Sequence, residues 1–333
     1  MSSTHDRIFV IFILPYNTLK EVEHDIETNV LQIHIIKALL YYDIFNYPLT
    51  ASEIMRFLGT QQKDLASLRH ELAVLTASKQ IFQFDEFYSI QNSRANIERR
   101  LRGNGEAARF LPMAKTKAKF IARFPFVRAV FASGSLSKGY MDENADLDFF
   151  IITKPGRLWI ARTLLVMYKR IFLFNSYKYF CVNYFVDFDH LEIEEKNLFT
   201  ATELATVIPL YGAEYYHRLH NSNTWLGSYF PNYSKRPTQD VPSSATNWFT
   251  RTVENLMNVL GGNKLEEYFM KITMNRWQRV HGDSYGSDDF KIAFKSKKYA
   301  SKNHPRHYQK KIISLYAEKL QAYNDKFNLT MKL

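Results

Sequence analysis

The sequence predicts an α+β protein in which a small mixed sheet lies between helical regions, and three observations predict it. Apolar residues recur at helical spacing through residues 28–92. Two apolar strand-like runs flank a glycine-serine bend near residue 134, and helical spacing returns after residue 200. The chain has 333 residues, 46% hydrophobic and 15% aromatic, which is too apolar for a disordered chain and long enough for about two domains. Its 44 Lys+Arg against 33 Asp+Glu leave a formal charge of +11, a balance that favours polyanionic partners such as nucleotides or nucleic acid. Its one cysteine, Cys181, excludes an internal disulfide framework and a cysteine-built zinc site.

The apolar run Arg7–Leu14 ends at Pro15 and falls far short of the roughly 20 residues that span a bilayer. It reads as a buried strand or a leader. No other stretch is apolar enough to cross, so the expectation is a cytoplasmic protein with no membrane partner.

Residues 28–92 read as three helices and a hairpin. Ile33, Ile36, Leu39 and Leu40 share one helix face. Thr50 and Glu53 form a capping box for a helix over Ala51–Leu58 that stops at Gly59. Leu65, Leu68, Leu72 and Leu75 mark the third helix. Gln80–Phe84 and Phe87–Ile90 alternate around Asp85-Glu86 as two short strands. This order resembles a winged helix-turn-helix domain, which implies a nucleic-acid partner. The corresponding helix offers Gln61, Gln62, Lys63, Ser67, Arg69 and His70, but Asp64 and Glu71 interrupt the positive face, and a packing or dimerisation role stays open beside it.

Residues 93–120 form a basic helical connector, within a run from Arg94 to Arg128 that only Glu98 and Glu106 oppose. Gly103 and Gly105 predict a break in it.

Residues 121–195 hold the chemistry. An apolar strand from Phe126 ends at Ser133-Gly134-Ser135, a short helix start follows, and a second strand begins around Asp146 and Asp148. Alternation projects both carboxylates from one face. Two adjacent like charges invite a divalent cation, and carboxylate oxygens suit Mg²⁺ or Mn²⁺. Gly134 lets backbone approach a ligand, and the amides that follow it make an anion site to which the Ser135 and Ser137 hydroxyls and the Lys138 ammonium add. Competing motifs fail. Tyr140-Met141 stands where a Walker A loop needs Lys-Ser/Thr, Ser135-Leu-Ser-Lys138 lacks the partner motifs of a penicillin-binding nucleophile, and no Gly-x-Gly-x-x-Gly occurs.

A strand ending in Gly134-Ser135, followed a dozen residues later by Asp146-x-Asp148 among apolar residues, resembles the DNA polymerase beta nucleotidyltransferase superfamily over roughly residues 120–190. The resemblance implies that Gly134 and Ser135 cradle the phosphates of a nucleoside triphosphate, ATP first among them, and that Asp146 and Asp148 hold Mg²⁺. The reaction it implies is transfer of a nucleoside monophosphate to a hydroxyl of a small molecule, a protein or an RNA end. It also implies a third carboxylate on a later strand. Asp187 fits by parity, whereas Asn183 would put an amide there, which would favour a degenerate, nucleotide-sensing core in a nucleic-acid-binding regulator.

Residues 196–333 read as a mainly helical region. Thr200 and Glu203 predict a capping box, residues 221–246 an irregular connection, and Trp248–Leu260 and Leu265–Val280 further helices. The tail carries Lys295, Lys297, Lys298, Lys302, Arg306, Lys310 and Lys311 with no intervening acid, a cluster suited to steering a nucleotide or RNA. His304 and His307 flank Pro305 and Arg306, surroundings that disfavour a metal. Leu315, Tyr316 and Leu320 predict a closing amphipathic helix.

Overall fold

A computed structural model describes residues 16–62, 64–174, 178–303 and 308–333, with side chains from Val30 onward. The run Arg7–Leu14, Lys63 and the segment from His304 to His307 lie outside the described residues. The protein is α+β.

The N-terminal region runs α1 (Tyr16–Asp43), β1 (Leu49–Thr50), α2 (Ala51–Phe57), α3 (Leu65–Ala77), β2 (Phe82–Phe84) and β3 (Phe87–Ser89). The expected hairpin forms, and β1 joins its edge to give the order β1-β3-β2. The Thr50 capping box is present: Glu53 N donates to Thr50 Oγ1 at 3.3 Å and Thr50 N to the Glu53 carboxylate at 2.8 Å. Two residues are too few for periodicity to reveal β1, which is why it escapes a pattern search.

Next comes α4 (Arg94–Ile121), a single 28-residue helix. The break expected at Gly103 and Gly105 does not occur. Gly103 serves contact instead, because a Cβ there would overlap the Tyr140 ring, so the missing side chain lets the loop carrying Tyr140 lie on the helix. Arg100 is buried in α4, donates to Glu53 at 2.8 Å and lies over the Tyr47 and Phe87 rings at 4.4 and 4.5 Å. Part of the basic run is therefore neutralised by carboxylates distant in sequence.

The central sheet follows: β4 (Val127–Ser133), α5 (Gly134–Ser137), β5 (Asp148–Thr153), α6 (Leu158–Phe172) and β6 (Cys181–Asp187). The remaining elements are α7 (Leu198–Thr206), β7 (Ile208–Tyr211), α8 (Ala213–Ser222), α9 (Leu226–Tyr229), α10 (Trp248–Val259), α11 (Gly262–His281), α12 (Ser287–Ala293), β8 (Ser296–Lys297), β9 (Ala300–Lys302) and α13 (Tyr308–Phe327). The sheet order is β7-β4-β5-β6-β9-β8, in which β5 and β6 are parallel across the α6 crossover and the other neighbours are antiparallel. The sheet is thus not confined to residues 121–195, since three short strands from the mainly helical region extend both of its edges. The capping box expected at Thr200 is replaced by a cap one turn earlier: Asn197 Oδ1 accepts from Thr200 N at 3.0 Å, which frees Glu203 for another partner.

Strand alternation sorts the sheet into two buried faces. Ala129, Phe131, Phe150, Ile152 and Val186 face one cluster, with Leu39, Leu204, Tyr216 and Tyr316. Val130, Ala132, Phe149, Ile151 and Phe185 face the other, with Ala118, Trp159, Leu165 and Trp277. Burial on both sides is why β4 and β5 read as nearly unbroken apolar runs. The first cluster also contains Ile54, Leu68 and Leu72, so one core joins the N-terminal region to the sheet. Lys319–Asp43 at 2.6 Å and Arg56 Nη2 donating to Ala205 O at 2.8 Å close that seam.

Candidate active site

The antiparallel pairing of β4 with β5 builds the site. Ser133, the last residue of β4, lies opposite Asp148, the first of β5. The chain then bends at Gly134, whose φ of +63° is left-handed. A Cβ on Gly134 would overlap the Asp148 carboxylate, so backbone and acid are brought together by the absence of a side chain. Ser133, the N-cap of α5, makes no side-chain capping bond. Ser135 is half-buried at this bend.

Asp146 sits in the loop just before β5, and Asp148 opens the strand; both are half-buried. Burial pushes the Asp148 carboxyl up to about 6, and the Asp146 and Glu203 charges add to it, against a thiol hydrogen bond from Cys181 and the Lys138 charge. A carboxylate whose pKa burial raises, beside a second one, lacks a full counter-charge. Burial, followed by the Asp148 charge, pushes the Cys181 thiol well up, which makes it a poor nucleophile.

The other predicted residues divide. Lys138 reaches the bend: its ammonium donates to Gly134 O at 3.1 Å and pairs with Glu203 at 2.6 Å, fixing α5 to α7. Ser137 does not face a ligand. It is fully buried, and its hydroxyl donates to Gly134 O at 2.8 Å and lies 3.3 Å from Thr206 Oγ1, so its role is to hold the bend.

Asp187 is not in the site. It ends β6 opposite Thr153, whereas Asp148 lies opposite Cys181, so five residues of strand, roughly 16 Å, separate it from Asp148. Its carboxylate accepts from Asp189 N, His190 N and the His190 ring at 3.1, 3.0 and 2.7 Å, closing the turn after β6. Parity misleads here because β6 carries a bulge between its pairs with Phe149 and Phe150, and Asn183 is the extra residue. A bulge reverses the alternation beyond it. Asn183 therefore occupies the place beside Asp148, with Nδ2 donating to Asp148 Oδ1 at 2.9 Å and with Oδ1 buried and without a hydrogen-bond partner.

Among the described residues, no three His, Cys, Asp or Glu side chains converge as a metal cluster. The donors at the bend are two carboxylates and the orphaned amide oxygen of Asn183. They fit a hard cation of the Mg²⁺ kind, which is held by one or two carboxylates, water and substrate phosphate rather than by an all-protein cage.

Much of the basic tail is paired rather than free. Lys295 meets Glu194 and Glu195 at 3.0 and 2.8 Å, Lys297 meets Glu194 at 2.6 Å, and Lys310 meets Asp289 at 3.0 Å. Their acids come from distant segments, so a count along the sequence overstates the patch. On α3, Leu68, Glu71, Leu72 and Leu75 are buried while Ser67, Arg69 and His70 are exposed, and Glu71 accepts from Gln32 at 2.8 Å. No helix among the described residues is long and apolar enough to cross a membrane. Comparison with protein-family models, with curated proteins and with solved structures finds no match.

Proposed function

We propose that the protein is a metal-dependent nucleotidyltransferase, moving a nucleoside monophosphate from a nucleoside triphosphate to an acceptor hydroxyl with release of pyrophosphate. The observation that carries this reading is the contact between the Gly134 bend and Asp148: a helix start without a side-chain cap and a carboxylate whose pKa burial raises share one point. Neither is stable alone, since the amides seek an anion and the carboxylates a cation. A phosphate with its Mg²⁺ answers both. The order α4-β4-α5-β5-α6-β6, with β4 antiparallel and β6 parallel to β5, suits the resemblance to the polymerase beta superfamily.

In this reading Asp146 and Asp148 hold the cation, with Asn183 Oδ1 as a neutral third oxygen. The cation supplies charge neutralisation on the phosphates and acidifies a bound hydroxyl. Gly134 and Ser135 present amides, and the Ser135 hydroxyl, to the phosphates. Lys138, tied to Glu203, keeps the bend in place. Asn183 cannot accept a proton as a base would, so its part in this reading is to hold the cation and not to act as a general base.

The test is incubation of the protein with each labelled triphosphate, Mg²⁺ and cell extract. Pyrophosphate release and a labelled acceptor are expected, and both disappear in D146N/D148N while the fold persists. A wild type with no metal-dependent nucleotide affinity overturns the proposal. Asn183 supports a second reading, in which the core senses nucleotide without turnover and the N-terminal region, with its winged-helix order of elements, binds nucleic acid through the exposed face of α3. That reading predicts nucleotide affinity without pyrophosphate release, and nucleic-acid binding lost on charge reversal of Arg69.

A further inference from the structure

A cavity of about 250 Å³ lies between α7, α12, β9 and the start of α13, lined by Phe199, Ile292, Lys302, Tyr308, Gln309 and Ile313 among others. It adjoins the bend through two elements. Phe199 and Glu203 stand one turn apart on α7, and Glu203 is the partner of Lys138. On the sheet, Lys302 pairs in register with Tyr184, and Asn303 N donates to Asn183 O at 2.9 Å, next to the amide that holds Asp148. Phe150 lies opposite Tyr184 and two residues beyond Asp148, so Asp148 and Lys302 belong to the same sheet face.

Lys302 is the unusual member. It is 7% exposed, and its ammonium has one hydrogen-bond acceptor among the described residues, Gln309 Oε1 at 3.1 Å. The Tyr184 ring lies 5.8 Å from it, and the acids whose charges act on it are engaged elsewhere, Glu195 with Lys295 at 2.8 Å and Glu203 with Lys138 at 2.6 Å. Burial lowers its pKa. An ammonium has three donors, and two unused ones facing a cavity are costly unless an anion completes them. The walls mix Phe199, edge-on to Tyr308 at 5.9 Å, Ile292 and Ile313 with a polar rim in which Asp289 is paired with Lys310 at 3.0 Å, a lining suited to a small amphipathic molecule.

We propose that this cavity is the acceptor subsite, and that the acceptor is a small molecule bearing a carboxylate or phosphate anchored by Lys302. The proposal rests on the nucleotidyl-transfer reading. An anion at Lys302 leaves the rest of such a molecule beside Phe199, one turn of α7 from Glu203, the partner of Lys138, and from there its hydroxyl would reach toward the phosphates.

The experiment titrates the full chain by calorimetry with inorganic phosphate, with acetate and with ATP–Mg²⁺, in the wild type, K302M and Y308L. One anion is expected to bind the wild type, phosphate or acetate naming the group. It should bind K302M at least tenfold more weakly and Y308L at least threefold more weakly, with ATP–Mg²⁺ affinity within twofold of wild type in both. K302M should melt no lower than wild type, because it removes a poorly compensated buried cation. Should it fail to fold, Y308L, altered at an exposed mouth residue, decides. Equal anion affinity in the variants, no binding of either anion, or displacement of the anion by ATP–Mg²⁺ would overturn the subsite. Anion binding at Lys302 with no ATP–Mg²⁺ binding would instead remove the nucleotidyl-transfer reading and leave an anion cavity.

Discussion

Asp148→Asn separates a strained binding carboxylate from an ordinary structural one. The Asp148 carboxyl is pushed from 3.8 up to about 6, so its ionised form destabilises the fold. Two pH units at 1.36 kcal/mol each give at most about 3 kcal/mol. The sign follows from linkage. A group whose folded pKa is raised contributes stability that is present below pH 3.8 and lost as pH rises through about 6. Asparagine keeps an oxygen for the Asn183 amide, which donates at 2.9 Å, and carries no charge against Asp146 or Glu203. Asp148→Asn should therefore be the more stable protein at pH 8, by up to about 3 kcal/mol, with the advantage gone below about pH 4. Urea unfolding of both proteins from pH 4 to 8 measures this as a difference. The comparison matters because His220, buried and held at a pKa of about 3, works in the opposite direction and loses stability as pH falls below 6.5. It cancels between wild type and variant. Mg²⁺ with ATP should raise the wild-type melting temperature and leave the variant unmoved. Parallel pH curves for the two proteins would refute the argument that Asp148 is held ionised at a cost.

Gly134→Ala places a Cβ against the Asp148 carboxylate at a left-handed φ, so it should cost about 1–2 kcal/mol in thermal unfolding and abolish ATP–Mg²⁺ binding in calorimetry. Asn183→Asp turns a donor to Asp148 into a second acceptor and should lower stability by about 1–3 kcal/mol without metal, while tightening Mg²⁺ binding. Asp187→Asn should leave nucleotide affinity and any turnover within about twofold of wild type, since about 16 Å of strand separates it from Asp148; a loss of binding would restore it to the site. Arg100→Ala removes the buried partner of Glu53 and should cost about 3 kcal/mol in urea unfolding, with ATP–Mg²⁺ affinity preserved in calorimetry.

What local chemistry decides was legible in the sequence. The Thr50–Glu53 cap, the hairpin around Asp85 and the Gly134 bend before Asp148 depend on residues a few positions apart, whose backbone preferences act at that range. Asp148 opens the expected strand, whereas Asp146 lies in the loop before it, where alternation does not set the direction of its side chain. Tertiary structure decided the rest. One inserted residue at Asn183 reversed the parity of β6 and turned Asp187 to the sheet face opposite Asp148, and a bulge depends on the register with β5 rather than on β6 alone. Gly103 became a seat for Tyr140 instead of a helix break because the ring arrives from 37 positions downstream. The basic residues at 100, 295, 297 and 310 looked like a patch only until the fold brought Glu53, Glu194 and Asp289 to them. Coulomb energy depends on distance through space, and sequence reports only distance along the chain.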